Sequence, residues 1–160
     1  MKNKEIIMIA AMSETRVIGN EAGDAMPWSV PEEYQRYVDT VSGHTVIMGY
    51  SSFMINGKYL EGVELIVLSR SHEISGVKVC TSLNQAIAEA KHSKIFIAGG
   101  GQVYKHALDH ADQILLSTIK GAYSGSVYFP ELDKAKWTLD KEEELANYIF
   151  RVYRRVRLKS

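Results

Sequence analysis

The sequence predicts an α/β fold: one domain over residues 1–160, with a mostly parallel central sheet, an antiparallel C-terminal edge strand and flanking helices. Three observations carry that expectation. Short runs that are apolar at nearly every position recur along the chain, as in strands buried on both faces. Stretches of helical composition alternate with them, and a crossover helix is what parallel pairing requires. The last two strand-like runs have no helix between them, so they pair antiparallel.

Residues 6–12 (Ile-Ile-Met-Ile-Ala-Ala-Met) form the first such run. A polar, glycine-containing loop follows, and Ser29 and Glu32 have the spacing of a capping box with Pro31 suited to the first helical turn. That helix is expected to end near Val41, before Ser42-Gly43. Residues 44–48 read as a second strand closed by Gly49, and 51–55 as a short helix stopped by Asn56-Gly57. Residues 65–68 and 77–80 are further strands. Residues 82–91 are helical with Ser82 as the cap. Residues 94–98 form a strand that runs into Gly99-Gly100-Gly101, with a helix from Gln102 to about Asp109. Residues 114–119 are again a strand, and 137–143 with 148–158 make the terminal pair. Arg151, Arg154, Arg155, Arg157 and Lys159 are interleaved with Val152, Val156 and Leu158, as in a strand with one wet face.

Composition excludes several function classes. Lys+Arg and Asp+Glu both number 19 in 160 residues, so no net field favours nucleic acid or an anionic membrane. No segment is long enough to span a bilayer. The start, Met1-Lys2-Asn3-Lys4, imitates a signal peptide, but Glu5 intervenes and the apolar run is short. Cys80 is the sole cysteine. It fits a reducing, cytoplasmic setting and reads as a structural thiol. The five histidines offer one helical pair, His106 and His110, with no metal-binding context, and read as surface residues. No metal is expected. A small-molecule substrate and a monomer are.

Two features carry chemistry. The first is Ala98-Gly99-Gly100-Gly101-Gln102-Val103-Tyr104 at a strand-to-helix junction. Glycines let a backbone turn tightly and let a ligand approach, and a helix start favours phosphate. Tight helix–strand packing is the other reading of the same residues. Gly19 and Gly49 also follow strands or enter loops at the end of the sheet where open α/β folds bind ligands. The second feature is Glu33. It lies one helical turn from Tyr37 and beside Tyr34, so a carboxylate and an aromatic face can meet a flat, nitrogen-rich ring. Burial would raise its pKa. A solvent-facing first-turn acid is the alternative, a part that Glu32 fills. Met26 and Trp28 lie on the preceding loop, which could close over a ligand.

Taken together, Ile9-Ala10-Ala11, Arg16-Val17-Ile18-Gly19, Met26-Pro27-Trp28-x-x-Pro31-x-Glu33, Val46-Ile47-Met48-Gly49, Gly99-Gly100-Gly101-Gln102-Val103-Tyr104 and Tyr128-Phe129-Pro130 resemble dihydrofolate reductase in identity, order and approximate spacing. The resemblance covers nearly the whole chain. It implies hydride transfer from NADPH to C6 of dihydrofolate and protonation at N5, giving tetrahydrofolate. Glu33 takes the place of the family's active-site carboxylate, Trp28 helps hold an ordered water, and Met26 gates its access. Ser117 supplies a hydroxyl linking acid and pterin. Backbone at Ile9 and Ala98 flanks the pterin amine, with Ala10, Tyr34, Tyr37, Asn56, Lys58 and Leu60 completing the substrate site. Backbone at Ala11 and Ile18 holds the nicotinamide carboxamide, and Tyr104 lies near that ring. Gly19, Gly49, Tyr50, Ser51, Ser52, Leu68, Ser69, Arg70, Gly99, Gly100, Gly101, Gln102 and Val103 complete the cofactor set.

The chain also departs from the family pattern. Tyr50 stands where a basic residue usually faces the cofactor phosphates, which leaves Arg70 as the cation for the 2′-phosphate. Val63 stands where an arginine usually clamps the α-carboxylate of the folate tail, and no other side chain reproduces that fork. Asn56 makes the tail pocket wetter, and Lys58 offers partial compensation. Weak dihydrofolate binding, or a preference for a pterin without that tail, is the expectation. The alternatives are therefore a reductase of a related pterin or pyrimidine, or a catalytically weak pterin- or nucleotide-binding protein. Trp28, Pro31 and Glu33 argue against the pyrimidine of riboflavin synthesis. The loop between Gly19 and Met26 looks long, and Gly125-Ser126 replaces a Gly-Asp pair that helps pin it.

Overall fold

Alternation along the first strand organises the molecule. The computed structural model describes residues 3–20 and 28–156. In β1 (Glu5–Ser13), Ile6, Met8, Ala10 and Met12 point into one hydrophobic cluster, while Ile7 and Ile9 point into another on the opposite face. Successive side chains of a strand face opposite ways, so a strand apolar throughout must be covered on both sides.

The covering elements follow from their own buried residues. On one side lie α3 (Leu83–Glu89) and α4 (Gly101–Ala107), through Leu83, Ala86, Tyr104 and Ala107. On the other lie α1 (Pro31–Val41) and α2 (Tyr50–Ile55), through Val41 and Phe53. The eight-stranded sheet also contains β3 (Thr45–Gly49), β4 (Glu64–Leu68), β5 (Lys78–Cys80), β6 (Lys94–Ile97), β7 (Gln113–Ile119), β9 (Trp137–Glu144) and β10 (Tyr148–Arg155), in the order β5-β4-β3-β6-β1-β7-β10-β9. All pairs from β5 to β7 are parallel, and β10 is antiparallel to both β7 and β9. This is the fold class the sequence predicts.

The structure differs from the sequence reading at some local points. The capping box does not form. Val30 is the N-cap, no side chain caps α1, and the Glu32 carboxylate accepts from Asn147 Nδ2 at 2.6 Å instead. Pro31 fixes the helix start one residue later than the box requires. Ser82 does cap α3, accepting from the Gln85 amide at 3.1 Å. A short ribbon, β2 (Val17–Gly19) with β8 (Val127–Tyr128), is too brief to show a period-two signature and was not expected. It closes tightly: a Cβ on Gly125 would fall 2.5 Å from the Gly19 carbonyl oxygen. The Ser126 amide donates to that same oxygen at 3.1 Å.

The basic C-terminal run divides its work. Arg151 and Arg154 pair across the hairpin with Glu142 and Asp140, at 2.6 and 2.8 Å. Arg155 is different. It donates to the carbonyls of Ala111, at 2.7 Å, and Leu108, and its guanidinium lies 4.6 Å from the centre of the buried Trp137 ring. It thus satisfies carbonyls at the end of α4 while covering an indole. Arg157 and Lys159 lie outside the described residues. Cys80 is buried, and burial pushes its thiol pKa up, as suits an inert side chain. Among the described residues no helix is long and apolar enough to cross a membrane, and no group of three or more His, Cys, Asp or Glu could hold a metal ion.

Arg155→Ala is expected to cost about 2 kcal/mol, because two carbonyls lose a charged donor and an indole loses its cover. Arg154→Ala, an exposed pair, should cost under about 0.5 kcal/mol. Urea denaturation of the two variants checks the contrast.

Candidate active site

The carboxyl ends of β1, β3 and β6 open into a cavity of about 550 Å³. Ligands bind at this end of open parallel sheets, because the strands stop there and the connecting loops diverge. Ile9, Ala10 and Ala11 form its floor, with Ala98, Gly99, Gly100 and Tyr104 on one side. Trp28, Glu33, Tyr34 and Tyr37 stand on another, and Ile18, Ser52, Ile55 and Asn56 complete the wall together with residues 29–31. Glu33 is the sole charged residue among these lining residues.

Local sequence puts Glu33 there. With Pro31 first in α1, residues 33 and 37 are one turn apart and share the face turned to the sheet. Burial raises the Glu33 pKa, while a hydrogen bond from the buried Ser117 hydroxyl and the nearby Arg36 oppose that rise. Ser117 reaches the site because β7 runs beside β1 with Ser117 opposite Ala11. Arg36 does not touch the acid directly. Its guanidinium donates to Tyr148 Oη at 2.9 Å and Glu143 at 2.7 Å, and lies 4.2 Å from the Phe150 ring centre. With the Asn147–Glu32 bond, these contacts fasten α1 to the β9–β10 hairpin and fix the direction of Glu33.

The opposite wall is the glycine turn. Gly99 has φ +105°, where an L side chain is strained, and a Cβ there would come within 3.2 Å of Ser52 Oγ. Tyr104, buried on α4, donates its hydroxyl to the Ile9 carbonyl at 2.7 Å. Burial and the nearby Tyr37 and Glu33 push its pKa up, so it remains a neutral donor. Burial does the same to Tyr37. Trp28 meets Tyr123 edge-on at 5.1 Å, and Tyr34 meets Tyr37 at 5.9 Å.

The other sequence-selected residues fall into three groups. Gly101, Gln102 and Val103 begin α4 behind the turn, and Gly49 donates its amide to the Gly99 carbonyl at 2.8 Å. Tyr50 and Ser51 open α2, while Leu68, Ser69 and Arg70 close β4 next to them. Lys58 and Leu60 are not brought into the main cavity. They line a neighbouring one of about 420 Å³ together with Val63, and Lys58 Nζ sits 5.3 Å from the centre of the Tyr59 ring. Gly19 ends β2, with Ile18 beside it on the cavity wall. Met26 and the 21–24 stretch lie outside the described residues. Sequence reasoning missed Ile55, which helical spacing from Ser52 could have found. It also missed Tyr123, Arg36 and Tyr148, whose contacts depend on distant pairings without a local signal.

A parallel-sheet cleft with one acid facing a glycine turn defines a small-molecule site of the open α/β class. A family model described as dihydrofolate reductase matches residues 5–155. Dihydrofolate reductase type A13 of Escherichia coli is 32% identical over 148 residues, covering 90% of this chain and 88% of that one. Dihydrofolate reductase HdrB of Haloferax volcanii is 26% identical over 162 residues, with 93% and 82% covered. In fold, the chain is similar to a dihydrofolate reductase from Enterococcus faecalis complexed with NADP(H) and RAB-propyl, at a TM-score of 0.83 and 24% identity, covering 94% and 96%. The chain belongs to the dihydrofolate reductase family.

The raised Glu33 pKa has a sign for stability. The folded state holds the Glu33 proton more tightly than the unfolded chain does, so this group favours folding below the ordinary carboxylate pKa. That contribution is lost as pH rises through the folded value. Glu33→Gln is therefore expected to have a higher Tm than wild type near neutrality, with the gap closing as pH falls through the raised folded value to the ordinary carboxylate pKa. Thermal denaturation across pH checks it.

Proposed function

We propose that this enzyme is a dihydrofolate reductase, acting as a one-domain monomer with NADPH and delivering a hydride to C6 and a proton to N5 of dihydrofolate. The observation that supports it most is Glu33: a half-buried carboxyl, tied to Ser117, set across a 550 Å³ cavity from a glycine turn. The residues fit a dinucleotide. The Gly99–Gly100 backbone faces the cavity with no Cβ to fill it, and Ser52 supplies a hydroxyl beside it. The coenzyme supplies the hydride.

The chain's own residues do the rest. Ionised Glu33 accepts paired hydrogen bonds from the amino and ring N–H groups of a pterin, and burial makes it hold a proton more tightly than an ordinary carboxylate. The Ile9 carbonyl already accepts from Tyr104, and its second lone pair can take the pterin amine together with the Ala98 backbone. Tyr34 and Tyr37 flank the ring. Backbone at Ala11 and Ile18 can take the carboxamide, which orients the reacting carbon. Trp28, braced by Tyr123, holds water near the acid, and Met26 would gate it.

A second reading, reduction of a pterin with a different side arm, draws on the lining itself. Among the described lining residues there is no Lys, Arg or His, and Val63 belongs to the neighbouring cavity. An anionic tail then has no forked partner.

Glu33→Gln should lower NADPH-dependent turnover of dihydrofolate by about 10²–10⁴-fold, the range for loss of a positioned proton donor. Val63→Arg should raise kcat/KM for dihydrofolate by about tenfold through KM, the size of one added charged contact. Steady-state NADPH oxidation reads both. An unchanged KM in Val63→Arg would leave the tail pocket without this explanation.

A further inference from the structure

Strand register sets Ser117, Phe150 and Glu143 in one row beneath α1. Ser117 of β7 is opposite Phe150 of β10, and Phe150 is opposite Glu143 of β9. Directly opposed residues share a face of the sheet. Glu33 takes the inner end of the row, where it accepts from the Ser117 hydroxyl. Arg36 is its neighbour on the next helical turn and takes the rest. The Arg36 guanidinium lies 4.2 Å from the Phe150 ring centre and donates to Glu143 Oε1 at 2.7 Å. The charges along the row therefore run acid, cation, acid.

The middle charge is fixed in place. Arg36 Nε donates at 2.9 Å to the hydroxyl of Tyr148, which lies on the same face of β10 as Phe150 and is buried with it. The Arg36–Glu143 pair is partly exposed, at 30% and 45% of the two side chains, so it adds little to stability by itself. Its field acts more strongly on the buried acid beside it, where the dielectric is lower.

Other charges near the row are committed elsewhere. Glu32 accepts from Asn147, and Asp39, one turn beyond Arg36, accepts from Gln35 at 2.8 Å. Glu142 and Glu144 alternate to the other face of β9 and pair with Arg151 at 2.6 Å and Lys120 at 2.9 Å. Lys141 stands in the next row, opposite Val152. Tyr37 and Tyr104 face Glu33 as neutral phenols, because burial pushes their pKa values up.

We propose that Arg36 is a positioning residue that acts on Glu33 through its charge, and that Glu143 sets how much of that charge reaches the acid, so that the Arg36–Glu143 pair governs the pH range over which Glu33 holds its proton. The inference rests on the reading of Glu33 as the group that handles the proton. A cation beside a carboxyl favours its ionised form, and a carboxylate on the far side of that cation offsets the effect. Burial makes Glu33 hold its proton, and Arg36 works against burial. Without the Arg36 charge, Glu33 keeps its proton to higher pH. Without the Glu143 charge, it loses the proton at lower pH.

The test is the protonation midpoint of the Glu33 carboxyl, read by carbon-13 NMR of protein labelled at glutamate Cδ and assigned by the signal missing from Glu33→Gln. Single-turnover hydride transfer from NADPH to dihydrofolate is recorded across the same pH range. Arg36→Met should move the midpoint up, and Glu143→Gln should move it down. Arg36→Lys, which keeps the charge, should leave it near wild type. Glu143→Gln retains a side-chain oxygen to accept from Arg36, so it removes the charge and not the bond. On the falling limb, the rate as a fraction of each protein's own plateau should be about threefold higher in Arg36→Met and about twofold lower in Glu143→Gln, the size of a partly screened charge contact. A midpoint that stays put in either charge-removing variant, midpoints that move in the same direction, or an Arg36→Lys midpoint that moves as far as that of Arg36→Met overturns the proposal. Opposite movements of the carboxyl midpoint that the rate profile does not follow support it, and overturn instead the reading of Glu33 as the proton group.

Discussion

A single hydrogen bond from the Tyr104 hydroxyl to the Ile9 carbonyl ties the two halves of the cleft together. Ile9 lies on the central strand and Tyr104 on the helix that follows the glycine turn, so the bond fixes the turn's height above the floor. It satisfies a carbonyl where β1 leaves its ladder with β6, beyond Met8 and Ile97. Burial keeps the phenol neutral, and hence a donor. The space between turn and acid depends on this contact, since Gly99 and Gly100 have no side chains to hold it open.

The acid is held from the other direction. Its helix has no side-chain cap, and Pro31, Glu32 and Tyr34 in its first turn are exposed, so α1 alone would not fix Glu33. The β9–β10 hairpin does so through Arg36, Tyr148 and Asn147. An element remote from the reacting groups therefore sets their geometry, which is how a binding site gains rigidity beyond its lining residues. The same hairpin closes the antiparallel edge of the sheet, so stability and site geometry share contacts.

Much of this was legible in the sequence, for physical reasons. Strands buried on both faces must be apolar throughout, so β1, β3, β4 and β6 announced themselves. The Ser82 cap and the Glu33–Tyr37 spacing are local and could be read directly. What could not be read depends on distant partners. The Ser29–Glu32 box had the right letters, but Asn147 took the second of them and Pro31 moved the helix start. The β2–β8 ribbon is too short for periodicity. His72 reads as a surface histidine in the sequence, and its stacking on Tyr50 depends on the fold. Lys58 and Leu60, within four residues of Asn56, turned into a separate cavity.

Glu33, its pKa lifted by burial, is the group proposed to handle the proton in the reaction. Stopped-flow single turnover of NADPH with dihydrofolate across pH tests it most directly. The hydride-transfer rate should fall as pH rises through a value above the ordinary carboxylate range, and Glu33→Gln should show a slow, pH-independent rate. A wild-type rate that does not change with pH, or a pH profile that persists in Glu33→Gln, would contradict it.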